Sequence, residues 1–201
     1  VVLGGGPIGC EMAQAFARLG VAVTLVEAVE RILPREEPEA SAVVAEALAA
    51  DGVVIRTGAK VVRVEAGADG AAVVHTERGE PIAGEKVLAA FGRVPSGRGL
   101  GLEEIGVQLD ERGAVVVQDT MATTVPGIWA AGDVVGRAQF THAAGRMGWV
   151  AAANALWKVA RLRAFRFDDR VLPWATFTTP EVGRVGLTEA EAAQRHPGAK
   201  V

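Results

Sequence analysis

Val1-Val2-Leu3-Gly4-Gly5-Gly6-Pro7-Ile8-Gly9-Cys10-Glu11 is the stretch whose reading decides the fold. Val1 to Leu3 is apolar and largely β-branched, which predicts a short buried strand. The glycines that follow form a G-x-G-x-x-G pattern on Gly4, Gly6 and Gly9. Met12, Ala13, Phe16, Ala17 and Leu19 then recur at helical spacing, and Gly20 is placed to end that helix. In a strand–turn–helix unit each glycine has a task. Gly4 permits the tight turn, Gly6 lets the backbone approach a pyrophosphate, and Gly9 lets the helix pack closely. The helix start points free N–H groups and the positive end of its dipole at the phosphates. Gly4, Gly5, Gly6, Pro7, Ile8 and Gly9 are therefore the expected dinucleotide-binding turn.

Val21 to Val26 reads as a second buried strand, and it ends on Glu27. That is near the spacing of about 20 residues expected for the acid that binds the adenosine ribose. A carboxylate accepts hydrogen bonds from ribose hydroxyls and repels a 2′-phosphate. Arg31 and Arg35 are the only nearby cations, so NAD is expected over NADP.

Pro38 opens a helix whose apolar face is Val43, Val44, Ala47 and Leu48, ending near Asp51-Gly52. Strand signals then crowd together at Val53 to Ile55, Val61 to Val64 and Ala72 to Thr76. The polar turns between them, such as Gly67 to Gly70, predict a small antiparallel meander. Lys86 to Phe91 is a further apolar strand, and Gly92 to Gly97 breaks it at an expected domain boundary. Beyond lie short strands at Ala114 to Val117 and Ile128 to Ala131, then an Ala-rich helix from about Thr141 to Leu162. Arg163 to Pro173 reads as a linker. The last segment, Trp174 to Val201, holds one strand and a helix opened by a capping box, Thr188 with Glu191.

Composition narrows the function classes. Half of the 201 residues are apolar, enough for a sizeable core. Lys plus Arg is 21 against 24 for Asp plus Glu, a near balance that offers no footprint for nucleic acid. No apolar run reaches the roughly 20 residues of a membrane span, and no signal peptide is read at the start, so a cytoplasmic protein is the simplest expectation. Cys10 is the sole cysteine, so an internal disulfide is excluded. No metal site is expected. The chain opens on a strand without Met and is expected to be a fragment of a longer protein.

Four stretches, in order, resemble the pyridine nucleotide-disulfide oxidoreductases, the family of dihydrolipoamide dehydrogenase, glutathione reductase and mercuric reductase. They are Gly4 to Glu11 with Val23 to Glu27; Phe91-Gly92-Arg93-Val94-Pro95; Thr124 to Asp133, which carries Gly132-Asp133; and Phe177-Thr178-Thr179-Pro180-Glu181 with Val185 to Thr188. Together they cover nearly the whole chain. The resemblance implies an α/β fold: a Rossmann-like NAD-binding domain with its meander (1–92), the C-terminal part of an FAD-binding domain (93–168) and the start of an α+β dimerisation domain (169–201). It implies a homodimeric parent that takes a hydride from NADH to FAD and sends electrons on to a disulfide, a mercuric ion or a similar small acceptor.

By the same resemblance, Asp133 accepts hydrogen bonds from the ribityl chain of FAD. Gln139, Phe140, Thr141 and His142 open a helix beneath the flavin, where backbone N–H groups and the helix dipole stabilise negative charge upon reduction. His142 is expected there for its backbone. Glu11 matches a glutamate near the nicotinamide ring, and Val61 and Gly92 match positions that touch NAD through the backbone. The first FAD fingerprint, the C-x-x-x-x-C redox pair and the His-Glu acid/base pair of the family are not found. Cys10 is expected to be a packing residue, no catalytic residue is assigned, and the fragment alone is expected to be inactive. A non-catalytic NAD sensor is the alternative from another class. A thioredoxin-reductase-like or ferredoxin-reductase-like enzyme is a third reading, disfavoured by Phe177 to Thr188.

Overall fold

Val2 and Leu3 occupy one short strand but pack into different clusters. Successive strand residues point to opposite faces, and both faces here are covered. A computed structural model describes residues 1–67, 70–157 and 164–198. It divides into two compact units, residues 1–92 with the segment from Pro173 onward, and residues 93–172.

In the first unit, β1 (Val2–Leu3), β2 (Thr24–Val26), β3 (Val54–Arg56) and β7 (Leu88–Ala89) form a parallel sheet in the order β3-β2-β1-β7. Val2 pairs with Leu25 on one side and Leu88 on the other. Helices α1 (Pro7–Arg18) and α2 (Pro38–Ala50) supply Cys10, Ala13, Val44 and Leu48 to the cluster that buries Val2 and Leu25. Both helices carry Pro in the first turn, where its missing N–H costs nothing. Leu3 and Val26 turn the other way, onto Val74 and Ile82 of a meander formed by β4 (Val61–Ala66), β5 (Ala72–Thr76) and β6 (Ile82–Gly84).

The meander is thus built differently from the sequence expectation. Val53 to Ile55 does not belong to it. It pairs parallel to β2, register Leu25 with Ile55, and that placement buries Val53 in the α1–α2 core. The third meander strand is Ile82–Gly84, which too few apolar residues mark in the sequence. The expected turn at Gly67 to Gly70 falls partly outside the described residues, at 68 and 69.

The segment from Pro173 onward adds a hairpin, β8 (Pro173–Thr176) and β9 (Val182–Val185), and a short helix α4 (Glu189–Arg195). Val182 packs against the α1–α2 core. The Trp174 indole N–H donates to Glu36 at 2.9 Å, and Arg184 lies over the Trp174 ring at 4.7 Å. The second strand, β9, was not among the expected elements. The capping box is formed: Thr188 Oγ1 accepts from Glu191 N–H, and the Glu191 carboxylate accepts from Thr188 N–H.

The second unit carries little regular structure besides α3 (Thr141–Trp157). Ala143, Met147 and Val150 recur on one side of α3 and bury against Met121, Val135 and Phe167. The expected strands at Ala114 to Val117 and Ile128 to Ala131 reduce to isolated bridges, Leu109 with Val115 and Ala122 with Trp129. The expected helix end at Leu162 lies outside the described residues. Val94, Leu100, Ile105, Leu156 and Val171 stand exposed in this unit. No helix among the described residues is long and apolar enough to cross a membrane.

Candidate nucleotide-binding and flavin-proximal sites

The glycine turn shows two positions that tolerate nothing larger. Gly4 has φ +106°, and a side-chain Cβ there would stand 2.5 Å from the Ala90 carbonyl oxygen of the neighbouring strand segment. A Cβ on Gly9 would stand 1.8 Å from the Gly4 carbonyl oxygen, so the helix sits directly on the backbone of its own turn. Gly6 is the opposite case. Its backbone is extended, at φ −73° and ψ −178°, and no atom lies within 4 Å of where a Cβ would be. That open face at the head of α1, where the first-turn N–H groups lack intrahelical acceptors, fits a pyrophosphate. Pro7 is the first residue of the helix, and Ile8 is exposed beside it.

Glu27 follows β2 and reaches back over the turn. Its Oε2 accepts the Gly5 N–H at 2.6 Å and its Oε1 accepts the Val29 N–H at 3.1 Å. A carboxylate offers about four lone-pair sites, so acceptor capacity toward ribose hydroxyls remains. Arg31, the nearest cation in sequence, is committed elsewhere. Its guanidinium donates to the Leu33 and Pro34 carbonyls at 3.0 and 2.9 Å. The turn beyond Glu27 therefore holds this cation on its own backbone.

Glu11 lies on α1 two residues after Gly9, and its Oε1 accepts the Phe177 N–H at 2.9 Å. Val61 begins β4 opposite Thr76. Gly92 is exposed at φ +128° with open space where a Cβ would be, so its backbone is accessible. Cys10 is fully buried, its Sγ 3.3 Å from the Gly5 carbonyl. Burial, with Glu27 and Glu11 nearby, pushes its thiol up to about 12. A thiol so held is a packing group, not a nucleophile.

In the second unit, Gly132 at φ +83° turns the chain so that Asp133 opens a single 3-10 turn through Val135. The Asp133 carboxylate is exposed and stands 3.4 Å from Arg93 Nη1. Arg93 Nη2 donates to the Gln139 carbonyl at 2.7 Å. One guanidinium thus joins the residue after Gly92, the Gly132-Asp133 turn and the segment that enters α3. Phe140 stacks on His142 at 5.6 Å between ring centroids, and Thr141 and His142 are exposed at the helix start. An exposed carboxylate acceptor beside a helix N-terminus is a donor and acceptor set suited to a polyol phosphate such as the FAD tail.

Sequence reading did not single out Arg93 or Gln14 as site residues. Arg93 sits in a motif read only as a domain junction, and nothing in its spacing says which carboxylate it meets. Gln14 carried no signal of its own, being one of three polar side chains on α1 with Glu11 and Arg18.

Residues 1–148 match the family model described as pyridine nucleotide-disulphide oxidoreductase. The whole chain is 42% identical to a dihydrolipoyl dehydrogenase of Thermus scotoductus, of which it spans 43%. Over 96% of its length it is 39% identical to a mercuric reductase of Streptomyces lividans, spanning 40% of that protein. In three dimensions it superposes on the HOCl-induced flavoprotein disulfide reductase RclA of Escherichia coli, solved as a Cu(II) complex. The TM-score is 0.87 at 37% identity, covering 99% of this chain and 44% of that one. The chain therefore spans less than half the length of the relatives it matches. With the glycine turn, Glu27 and the Gly132-Asp133 turn all in place, the chain belongs to the pyridine nucleotide-disulphide oxidoreductase family.

Proposed function

We propose that this chain is the pyridine-nucleotide-binding part, with the flavin-proximal segment, of an FAD-dependent oxidoreductase that oxidises NADH and reduces a small acceptor. The open Gly6 face, closed behind by the Gly5–Glu27 bond, carries the reading. Dihydrolipoyl dehydrogenase and mercuric reductase relatives support a disulfide or a metal ion as the class of acceptor.

Residues 1–92 serve as the NAD-binding domain, 93–168 as part of the FAD-binding domain, and 169–201 as the start of a dimerisation domain. FAD, when bound, supplies the two-electron acceptor chemistry. The residues of this chain supply binding and orientation. The Gly4-to-Gly9 turn and the α1 N–H groups hold the pyrophosphate. Glu27 accepts from the adenosine ribose and disfavours a 2′-phosphate. Val61 and Gly92 touch the nucleotide through their backbones, and Glu11 orients its nicotinamide end. Asp133 accepts from the ribityl hydroxyls while Arg93 holds it against the Gln139 carbonyl. Phe140, Thr141 and His142 present the α3 start, whose dipole favours negative charge nearby. The exposed Val94, Leu100 and Leu156 are surfaces for the remainder of such a protein to cover.

The test uses the longer protein that contains this chain. It should carry flavin absorption at about 450 nm, bleached by NADH under anaerobic conditions, because the flavin carries the chemistry. Arg93→Met should lower FAD retention on dialysis by about tenfold, the scale for losing a charge-assisted hydrogen bond. A colourless protein, or one whose flavin NADH does not bleach, would defeat the proposal.

A further inference from the structure

We propose that Gln14 is a positioning residue for the nucleotide site, whose amide clasps the backbone of Thr179 and so holds the Phe177 N–H against the Glu11 carboxylate. The inference rests on the reading of Glu11 as the residue that meets the nicotinamide end.

Gln14 is the one buried polar residue of α1, at 4% exposure. Its Nε2 donates to the Thr179 carbonyl at 3.0 Å and to Asp51 Oδ2 at 2.8 Å, and its Oε1 accepts the Thr179 N–H at 2.7 Å. Both amide hydrogens and the amide oxygen are engaged. By taking the N–H and the C=O of one residue together, the side chain acts as a strand partner would, fixing the position and the orientation of that peptide. Arg18 adds an outer contact to Thr179 Oγ1 at 2.9 Å and balances the Asp51 charge at 2.9 Å.

Glu11, Gln14 and Arg18 follow one another at spacings of three and four, which places them along one side of the helix. Against that side runs the chain from Phe177 to Thr179. The Phe177 ring is 71% exposed, so packing of the ring does not hold this backbone. The buried Thr176 and Thr178 flank it, and the hydrogen bonds to Glu11 and Gln14 orient the Phe177 and Thr179 peptides. Two residues before the Gln14 clasp, the Phe177 N–H donates to Glu11 Oε1 at 2.9 Å. Glu11 is only half-buried, and this donor is what gives its carboxylate a fixed orientation beside the glycine turn. A loose 177–179 segment would leave Glu11 free to rotate, and a free carboxylate orients a ligand poorly.

The experiment measures two quantities on the full 201-residue chain: amide exchange at Phe177 and Thr179, and NADH affinity by fluorescence titration. Gln14→Met keeps length and burial and removes the clasp. It should abolish protection at Thr179, lower it at Phe177 and weaken NADH by about tenfold, the scale of one hydrogen bond to a charged group. Glu11→Ala should release Phe177 while Thr179 stays protected, with a similar loss for NADH. The double variant should bind NADH as Glu11→Ala does, because Gln14 acts through Glu11. Asp51→Asn, a milder change behind the amide, should give a smaller loss at both amides. Arg18→Met should leave Phe177 protected.

Unchanged Phe177 protection in both Gln14→Met and Asp51→Asn, or additive losses in the double variant, would overturn the proposal. A wild-type chain that binds no NADH would overturn the nucleotide reading instead. The exchange at Phe177 and Thr179 would then still decide the clasp.

Discussion

The Gly5 N–H donates to Glu27 Oε2 at 2.6 Å, so the acid placed for a ribose also closes the turn placed for a pyrophosphate. The two roles separate on substitution. Glu27→Gln keeps an acceptor for Gly5 but loses the charge. Its melting temperature should change little, while the ratio of NADH to NADPH affinity falls. Glu27→Ala removes the acceptor as well and should cost about 1–3 kcal/mol of stability. Thermal melts and paired titrations of both reduced cofactors check this. Equal or tighter NADPH binding by the unaltered chain would contradict the NAD assignment.

Gly9 and Gly6 should respond to alanine in opposite ways. A methyl on Gly9 meets the Gly4 carbonyl oxygen at 1.8 Å, and backbone cannot yield there cheaply. Gly9→Ala should destabilise by about 3 kcal/mol or more, in the tail of single substitutions. A methyl on Gly6 meets nothing within 4 Å. Gly6→Ala should leave the melting temperature nearly unchanged and still weaken NADH, because the methyl occupies the approach of the phosphates. Comparable destabilisation by the two variants would be inconsistent with this geometry.

Cys10 should be unreactive in the folded chain. With its thiol pushed up to about 12 by burial and by Glu27 and Glu11, almost none is thiolate at pH 8. An aromatic disulfide reagent at pH 8 should label it only as fast as the protein unfolds, and stoichiometrically in denaturant. The sign of the linkage is defined. The proton is held more tightly in the folded state, so stability from this group is present below the ordinary thiol range and is lost as the pH rises toward 12. Rapid labelling under native conditions would show that Cys10 is accessible.

Arg184 should be the residue on which the C-terminal hairpin depends. Its guanidinium lies over Trp174, donates to the Arg35 carbonyl and meets Glu191 at 2.5 Å, with the buried Glu36 carboxylate at 3.9 Å. Arg184→Met retains the stem over the ring but leaves Glu36, among the described residues, with the Trp174 donor alone. The cost should be about 3 kcal/mol, as for other buried carboxylates deprived of a partner. Faster amide exchange across Val182 to Val185 should accompany it. Glu36→Gln paired with Arg184→Met should recover part of the loss, since no buried charge then stands unpartnered. A melting temperature within a degree of the unaltered chain would remove Arg184 from this role.

What the sequence alone determined is whatever depends on residues close together along the chain. The strand–turn–helix around Gly4, Gly6 and Gly9, the helix from Pro38, the capping box of Thr188 and Glu191, and the family itself are all local patterns. Each follows from backbone freedom, periodicity or a side chain reaching three residues on. What only the tertiary structure decided is which distant partners complete them. Val53 to Ile55 reads as a meander strand until the α1–α2 core claims Val53. Arg93 becomes a site residue only when Asp133 and the Gln139 carbonyl arrive beside it. Gln14 is an ordinary helical residue until Thr179, 165 positions away, presents both its N–H and its C=O. In each case the partner is distant in sequence, whether it is an apolar core for Val53 or polar groups for Arg93 and Gln14. A buried polar group must be satisfied, but the sequence does not record by whom; that is settled only when packing brings the partner within hydrogen-bond reach.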